Sequence, residues 1–325
     1  MEGPPPVSAL IHAATMVVAG VFLVARVYPI FSAYDGDALL VVAIIGLITA
    51  LMASTIALVS VDLKRILAYS TISHLGLMML SLGAFGYTAA IFHLLAHGFA
   101  KALLFLGAGS VMHGTDELDI RNMGGLRKVM PMTAFLFSLG ALSLGGIPIL
   151  SGFWSKDEIL LAVNEHLNPA FIVLALLTAF LSAMYMARAM FVPFFGNLRQ
   201  EMEHAHESPA SMILPMALLG VLAAVFGFIS FSWPGGYQGV GGFIFFHEAE
   251  GFHFKWWLGI LSIILAVGAF VLGYLVYIKS RVSLEGVRAR MGGLIPVVEN
   301  KYYFDEVYQW VVDRVVLIFA NFIGL

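Results

Sequence analysis

Between Val7 and Ile278 the chain is cut into apolar runs, each about long enough to cross the ~30 Å hydrocarbon core of a bilayer as a helix. The runs are Val7 to Val27, Ala38 to Ser60, Ile66 to Ala84, Tyr87 to Met112, Pro131 to Val163, Pro169 to Phe195, Ser211 to Phe231 and Trp256 to Ile278. Read so, there are eight spans. Turn and charge signals separate them, among them Tyr34-Asp35-Gly36-Asp37, the stretch Asp116 to Lys128 and Trp233-Pro234-Gly235-Gly236. In lipid every backbone N–H and C=O must be satisfied within the protein, and a helix does so locally. Charged residues make up 11% of the chain, against about 25% in a soluble domain. The expected fold is therefore all-α, a polytopic transmembrane helix bundle, with no second, soluble domain.

Composition also excludes whole classes of function. A net charge of −3, with Lys and Arg lying between apolar runs and not in a tail, offers no surface for nucleic acid. Without cysteine there is no thiolate metal site and no protein-ligated iron–sulfur cluster. No glycine-rich phosphate loop and no Ser/His/Asp set is visible. Two loop groups, His204 and His206 with Glu201, Glu203 and Glu207, and His247, Glu248, Glu250 and His253, lack an element that would fix a ligand geometry. No metal site is expected. The opening Met1-Glu2-Gly3-Pro4-Pro5-Pro6 has no basic n-region, so the first run is read as mature structure.

Orientation follows from the loop cations. Lys64, Arg65, Arg121, Arg127, Lys128, Arg199, Lys279, Arg281, Arg288, Arg290 and Lys301 fall on one side, and Arg26 and Lys255 on the other. The positive-inside rule makes the first side cytoplasmic, with the N-terminus on it. Tyr302 to Leu325 mixes Asp305, Glu306, Asp313 and Arg314 with aromatic and aliphatic residues. It reads as a helix along the membrane surface, a shortened ninth span or a simple C-terminal anchor.

The chemistry lies inside the spans. His93, His97 and Lys101 stand four residues apart in one of them, which places three protonatable groups on one slanting helix face. A Lys near the bilayer centre costs about 2.5 to 3.5 kcal/mol on insertion scales, so it is rarely there without a use. Imidazole passes a proton through either ring nitrogen; the alternative is a pair of core histidines bonded across helices. His12 is a lone polar group in the first span. Gly145, Gly146 and Pro148 interrupt the fifth span, because proline withholds a backbone donor and glycine weakens the turn. Lys156 follows the break, with Asp157 beside it as a possible ion-pair modulator: burial and a nearby carboxylate act on an amine's proton affinity in opposite senses. The simpler reading of Lys156 is a side chain that snorkels to a helix end.

Met1 to Val17, Asp62-Leu63-Lys64-Arg65-Ile66-Leu67-Ala68-Tyr69-Ser70-Thr71-Ile72-Ser73, His93 to Ser110 and Gly145 to Leu160 together resemble the subunit L type of the antiporter-like family in bacterial complex I. That family comprises proton-pumping membrane subunits of NADH:quinone oxidoreductase, with relatives in multisubunit cation/proton antiporters and membrane hydrogenases. The resemblance implies an inner-membrane subunit made of inverted five-helix repeats. Here 1–37 would hold a connecting helix, 38–195 the second repeat, 196–281 two further spans, and 282–325 a cytoplasmic-side segment leading to a lateral or anchor helix. Lys101 matches the central Lys, His93 and His97 the histidines before it, His12 the His between repeats, and Lys156 the terminal proton site. The family's first seven helices would precede Met1, so a fragment carrying the output half-channel is expected. NADH, FMN, iron–sulfur clusters and quinone would belong to partner subunits, and a neighbouring antiporter-like subunit would be the chief contact. The large subunit of a Na+/H+ antiporter shares these motifs. A passive scaffold would tolerate loss of both lysines, and a solute transporter would need a cluster of substrate-binding groups that the apolar interior lacks.

Overall fold

The computed structural model describes residues 3–13, 15–33, 37–202, 204–231, 239–245, 255–279, 286, 292–318 and 324. The loop group from His247 to His253, the turn at Trp233 to Gly236, Glu203, and the cations Arg281, Arg288 and Arg290 lie outside them. The described backbone is helical, with one isolated bridge between Asp62 and Asp119. It forms two compact units, Met1–Arg281 and Val282–Leu325.

In the first unit the helices are α1 (Pro5–Ala13), α2 (Ala19–Arg26), α3 (Tyr28–Phe31), α4 (Asp37–Val59), α5 (Leu63–Gly83), α6 (Tyr87–Thr115) and α7 (Pro131–Gly145), then α8 (Ser151–His166), α9 (Pro169–Phe194), α10 (Ala210–Val225), α11 (Gly239–Phe245) and α12 (Trp256–Tyr277). Among the described residues seven stretches are long and apolar enough to cross a membrane, and α7 is a shorter apolar helix. The expected fifth span is thus two helices, and with it the count of about eight holds. The first span is also interrupted: a 3-10 turn at Met16–Val18 separates α1 from α2. No proline or glycine announces it.

Helix limits follow local chemistry. Asp62 caps α5, its carboxylate accepting from the Arg65 N–H at 2.8 Å, so this helix starts at Leu63, earlier than the apolar run suggests. Asn168 caps α9 in the same way at 3.0 Å. Proline opens both α7 and α9, where its missing N–H goes unused. At the end of α7, Gly146 takes φ +83°, and the Ile147 N–H reaches back to the Leu142 carbonyl at 3.1 Å, closing the helix.

Lipid is as apolar as a leucine side chain, so close approach of small residues holds spans together. A Cβ on Gly46 would lie 2.6 Å from the Leu80 nitrogen, and one on Gly76 would lie 2.6 Å from the Gly46 carbonyl. That seam locks α4 to α5. One end of the bundle gathers the basic loops: the Leu63 and Ile120 N–H groups donate to the Leu118 and Val61 carbonyls, the Gly125 N–H donates to the Phe195 carbonyl, and Arg188 donates to the carbonyls of Leu58 and Ser60. Large apolar side chains such as Ile48, Val173 and Leu214 are exposed, as a lipid-facing surface requires.

The second unit contains α13 (Leu294–Glu299) and α14 (Phe304–Val311), followed by a π-helical stretch at Val312–Val316. Lys301 pairs with Asp305 at 2.6 Å, and the Gln309 amide donates to Asp313 at 2.9 Å. Phe304, Val307, Tyr308 and Val311 are spaced along α14 as in an amphipathic helix.

Candidate functional site

The centre of the first unit is polar. His93, His97 and Lys101 on α6 are all fully buried, as is His74 on α5. Lys101 Nζ donates to the Leu67 carbonyl at 2.8 Å and to the Ser70 hydroxyl. Its fourth-turn position on α6 sets it against α5, whose Ser70 lies one turn before His74. The His74 Nδ1 and His93 Nε2 atoms share a hydrogen bond of 2.9 Å, and the two rings stack at 5.1 Å. His97 lies 5.4 Å from His74 and 6.3 Å from His93, ring to ring. Neither ring nitrogen of His97 makes a hydrogen bond to a side chain among the described residues; the ring is set against the Ala13 backbone of α1.

From His93 the row continues into α8. His93 Nδ1 and the Ser155 hydroxyl are 2.8 Å apart, and the next residue is Lys156. Lys156 Nζ donates to the Leu144 carbonyl in the last turn of α7 and to Ser182 on α9 at 2.6 Å. A cation is favoured at that carbonyl end of a helix. The break makes this contact possible: α8 crosses so close to α7 that a Cβ on Gly152 would lie 2.0 Å from the Ser143 carbonyl. The lysine stem passes Gly146, where a Cβ would stand 3.7 Å from its Cδ. Lys156 is 6% exposed, so it does not snorkel within the bundle.

Asp157 turns away from Lys156. Its carboxylate accepts from Ser262 on α12 at 3.4 Å, and Glu158, one residue on, accepts from Ser230. At the other end of the row His12 stacks on Phe105, with ring centroids 5.4 Å apart. Phe105 is one turn past Lys101, so His12 lies toward the basic end.

The structure thus brings Lys101, His97, His93 and Lys156 into one buried row with His12 at its basic end, and sets Asp157 to one side. His74, Ser70, Ser155, Ser182 and Ser262 were not singled out in the sequence. His74 directly follows the Asp62 to Ser73 motif; a His and two Ser residues four or fewer apart inside an apolar run were the available signal. Among the described residues no group of three or more His, Asp or Glu side chains could hold a metal ion.

These features define a polytopic helical membrane protein organised around a buried row of protonatable groups. The family profile described as "NADH:quinone oxidoreductase/Mrp antiporter, TM" matches residues 1–182. The chain belongs to that family. It is 40% identical to NAD(P)H-quinone oxidoreductase chain 5 of a Picosynechococcus species over 95% of its own length and 52% of the relative's. It is 41% identical to NADH-quinone oxidoreductase subunit L of Rickettsia bellii, covering 97% of this chain and 50% of that one. With the F(420)H(2) dehydrogenase subunit L of Methanosarcina mazei the identity is 40%, over 95% of this chain and 50% of the relative. The chain therefore spans about half the length of these relatives. Among solved structures, the Mrp complex of a Dietzia species matches with a TM-score of 0.64 and 27% identity, over 99% of this chain and 38% of that one.

Proposed function

We propose that this chain supplies the output half-channel of an antiporter-like, proton-translocating membrane subunit of an NADH:quinone oxidoreductase. The observation that carries the reading is the buried row Lys101, His97, His74, His93, Ser155, Lys156. Imidazoles in contact can hand on a proton by exchanging donor and acceptor nitrogens. Lysines at the two ends can store one as charge. His12 lies on the loading side and Lys156 on the release side.

The wider reading rests on the same arrangement. The basic end faces the cytoplasm in a bacterial inner membrane, residues 38–195 form the second antiporter-like repeat, and 282–325 lead to a lateral or anchor helix. Oxidation of NADH and reduction of quinone, through FMN and iron–sulfur clusters, fall to partner subunits; this chain has no thiolate with which to ligate a cluster. A neighbouring antiporter-like subunit is the expected contact.

The test places Lys101→Ala and Lys156→Ala separately in the full-length subunit and follows proton uptake into inverted membrane vesicles. Each is expected to lower acidification while the complex still assembles, and unchanged pumping with normal assembly would sink the reading. The likeness to an Mrp complex supports a second reading, Na+/H+ exchange. Sodium, a hard cation, calls for several oxygen ligands, whereas most of this row is imidazole and ammonium nitrogen, and its carbonyl and hydroxyl oxygens already accept from the lysines at Leu67, Ser70, Leu144 and Ser182. Sodium-dependent acidification lost with Lys156→Ala would favour it.

A further inference from the structure

Lys156, Asp157 and Glu158 are consecutive on α8, so their side chains leave the helix about 100° apart. The first faces the break and α9, the second α12, the third Ser230. Helix α12 lies beyond the stretch that the family profile matches, yet it meets α8 at two polar levels. At the end remote from the basic loops, Lys255 at the start of α12 pairs with Glu165 near the end of α8 at 2.8 Å, both partly exposed. Seven residues along α12, about 10 Å deeper, Ser262 meets the buried Asp157. Residues seven apart share a helix face, so both contacts belong to one seam.

Ser262 has one hydroxyl hydrogen and two acceptors within reach, the Gly259 carbonyl at 3.0 Å and Asp157 Oδ1 at 3.4 Å. It also lines, with Lys156 and Gly146, a cavity of about 20 Å³, room for one water. We infer that the Ser262 hydroxyl is a rotating relay between Lys156 and Asp157, and that the α8–α12 seam, opening at Glu165 and Lys255, is the path of proton release. The inference rests on the reading of Lys156 as a proton carrier. In the closed setting the hydroxyl donates to Gly259. Turned to Asp157, it gives its hydrogen to that carboxylate and accepts one from the cavity water, which takes a proton from the Lys156 ammonium. The lysine is left as a neutral amine and Asp157 as a carboxylic acid, so one positive and one negative charge disappear together. Asp157 then releases its proton toward the mouth of the seam.

The experiment uses the full-length subunit in its assembled complex, in inverted vesicles, with redox turnover measured beside acidification. Lys156→Ala defines the share of proton uptake that this subunit carries. Ser262→Ala should remove most of that share, and Ser262→Thr, which restores a hydroxyl, should return it. Full pumping by Ser262→Ala beside a defective Lys156→Ala overturns the relay and leaves the Lys156 reading standing. A Lys156→Ala variant that pumps normally overturns the Lys156 reading itself, and the relay with it. Loss in Ser262→Ala that Ser262→Thr does not rescue overturns the relay in favour of packing. Loss in Glu158→Gln or Ser230→Ala, with Ser262→Ala intact, moves the exit to the α10 side and overturns the seam.

Discussion

Among the described residues two spans are interrupted, and the interruptions are closed by different means. Between α1 and α2 the Thr15 hydroxyl folds back to the Leu10 carbonyl at 2.7 Å, a neutral bond within its own turn. Between α7 and α8 the freed Leu144 carbonyl is taken by the Lys156 ammonium, which arrives from the far side of the break. Both interruptions adjoin the polar row, since His12 is one residue from the end of α1 and the row ends at Lys156. A broken helix therefore does not by itself place a charged side chain at its freed carbonyls. The second break exchanges a backbone bond for a titratable side chain, whereas the first keeps its closure local and leaves the nearby histidines to one another.

The largest expected contrast comes from removing the two closures. Lys156→Met keeps the length of the side chain but leaves the Leu144 carbonyl and the Ser182 hydroxyl without their donor. It should stop proton passage and lower stability by about 1–3 kcal/mol. Thr15→Val removes one neutral, exposed bond and should cost about 0.5–1.5 kcal/mol while leaving acidification intact. Thermal unfolding of the full-length subunit in detergent reads the stability change and vesicle acidification the proton passage. Normal pumping in Lys156→Met, or lost pumping in Thr15→Val, would reverse the comparison.

The same pair of breaks shows what the sequence made legible. Gly145-Gly146-Ile147-Pro148 announces a break because two glycines and a proline cannot continue a helix well. Ala13-Ala14-Thr15-Met16 contains good or neutral helix formers, so nothing local predicts the 3-10 turn there. Lys101 and Lys156 stand out because a charge in an apolar run is costly. His74 does not, because it sits among Ser and Thr residues that ordinarily bond to their own helix, as Ser70 and Thr71 bond to Leu67. Ser262 is hidden for the same reason. That Asp157 faces away from Lys156 follows from helix geometry alone, but that α12 supplies its partner depends on packing between residues 105 apart in sequence.

Smaller effects test whether the second break is built for its shape. Gly146 has φ +83°, where a side chain costs about 1–2 kcal/mol. A Cβ there would meet Lys156 at ordinary contact distance, 3.7 Å from its Cδ. Gly146→Ala should therefore lose about that much stability through the backbone. Ile149 is the converse case, a β-branched residue at φ +79° with an exposed side chain. Ile149→Gly relieves about 1–2 kcal/mol of left-handed strain and adds about 0.5–1 kcal/mol of unfolded-state freedom, a net gain of about 0.5 kcal/mol. A rise in unfolding temperature for Ile149→Gly beside a fall for Gly146→Ala would tie both to the turn's handedness. A fall for both would mean that the Ile149 side chain holds the break through contacts on the bundle surface, and the backbone account of this break would fail.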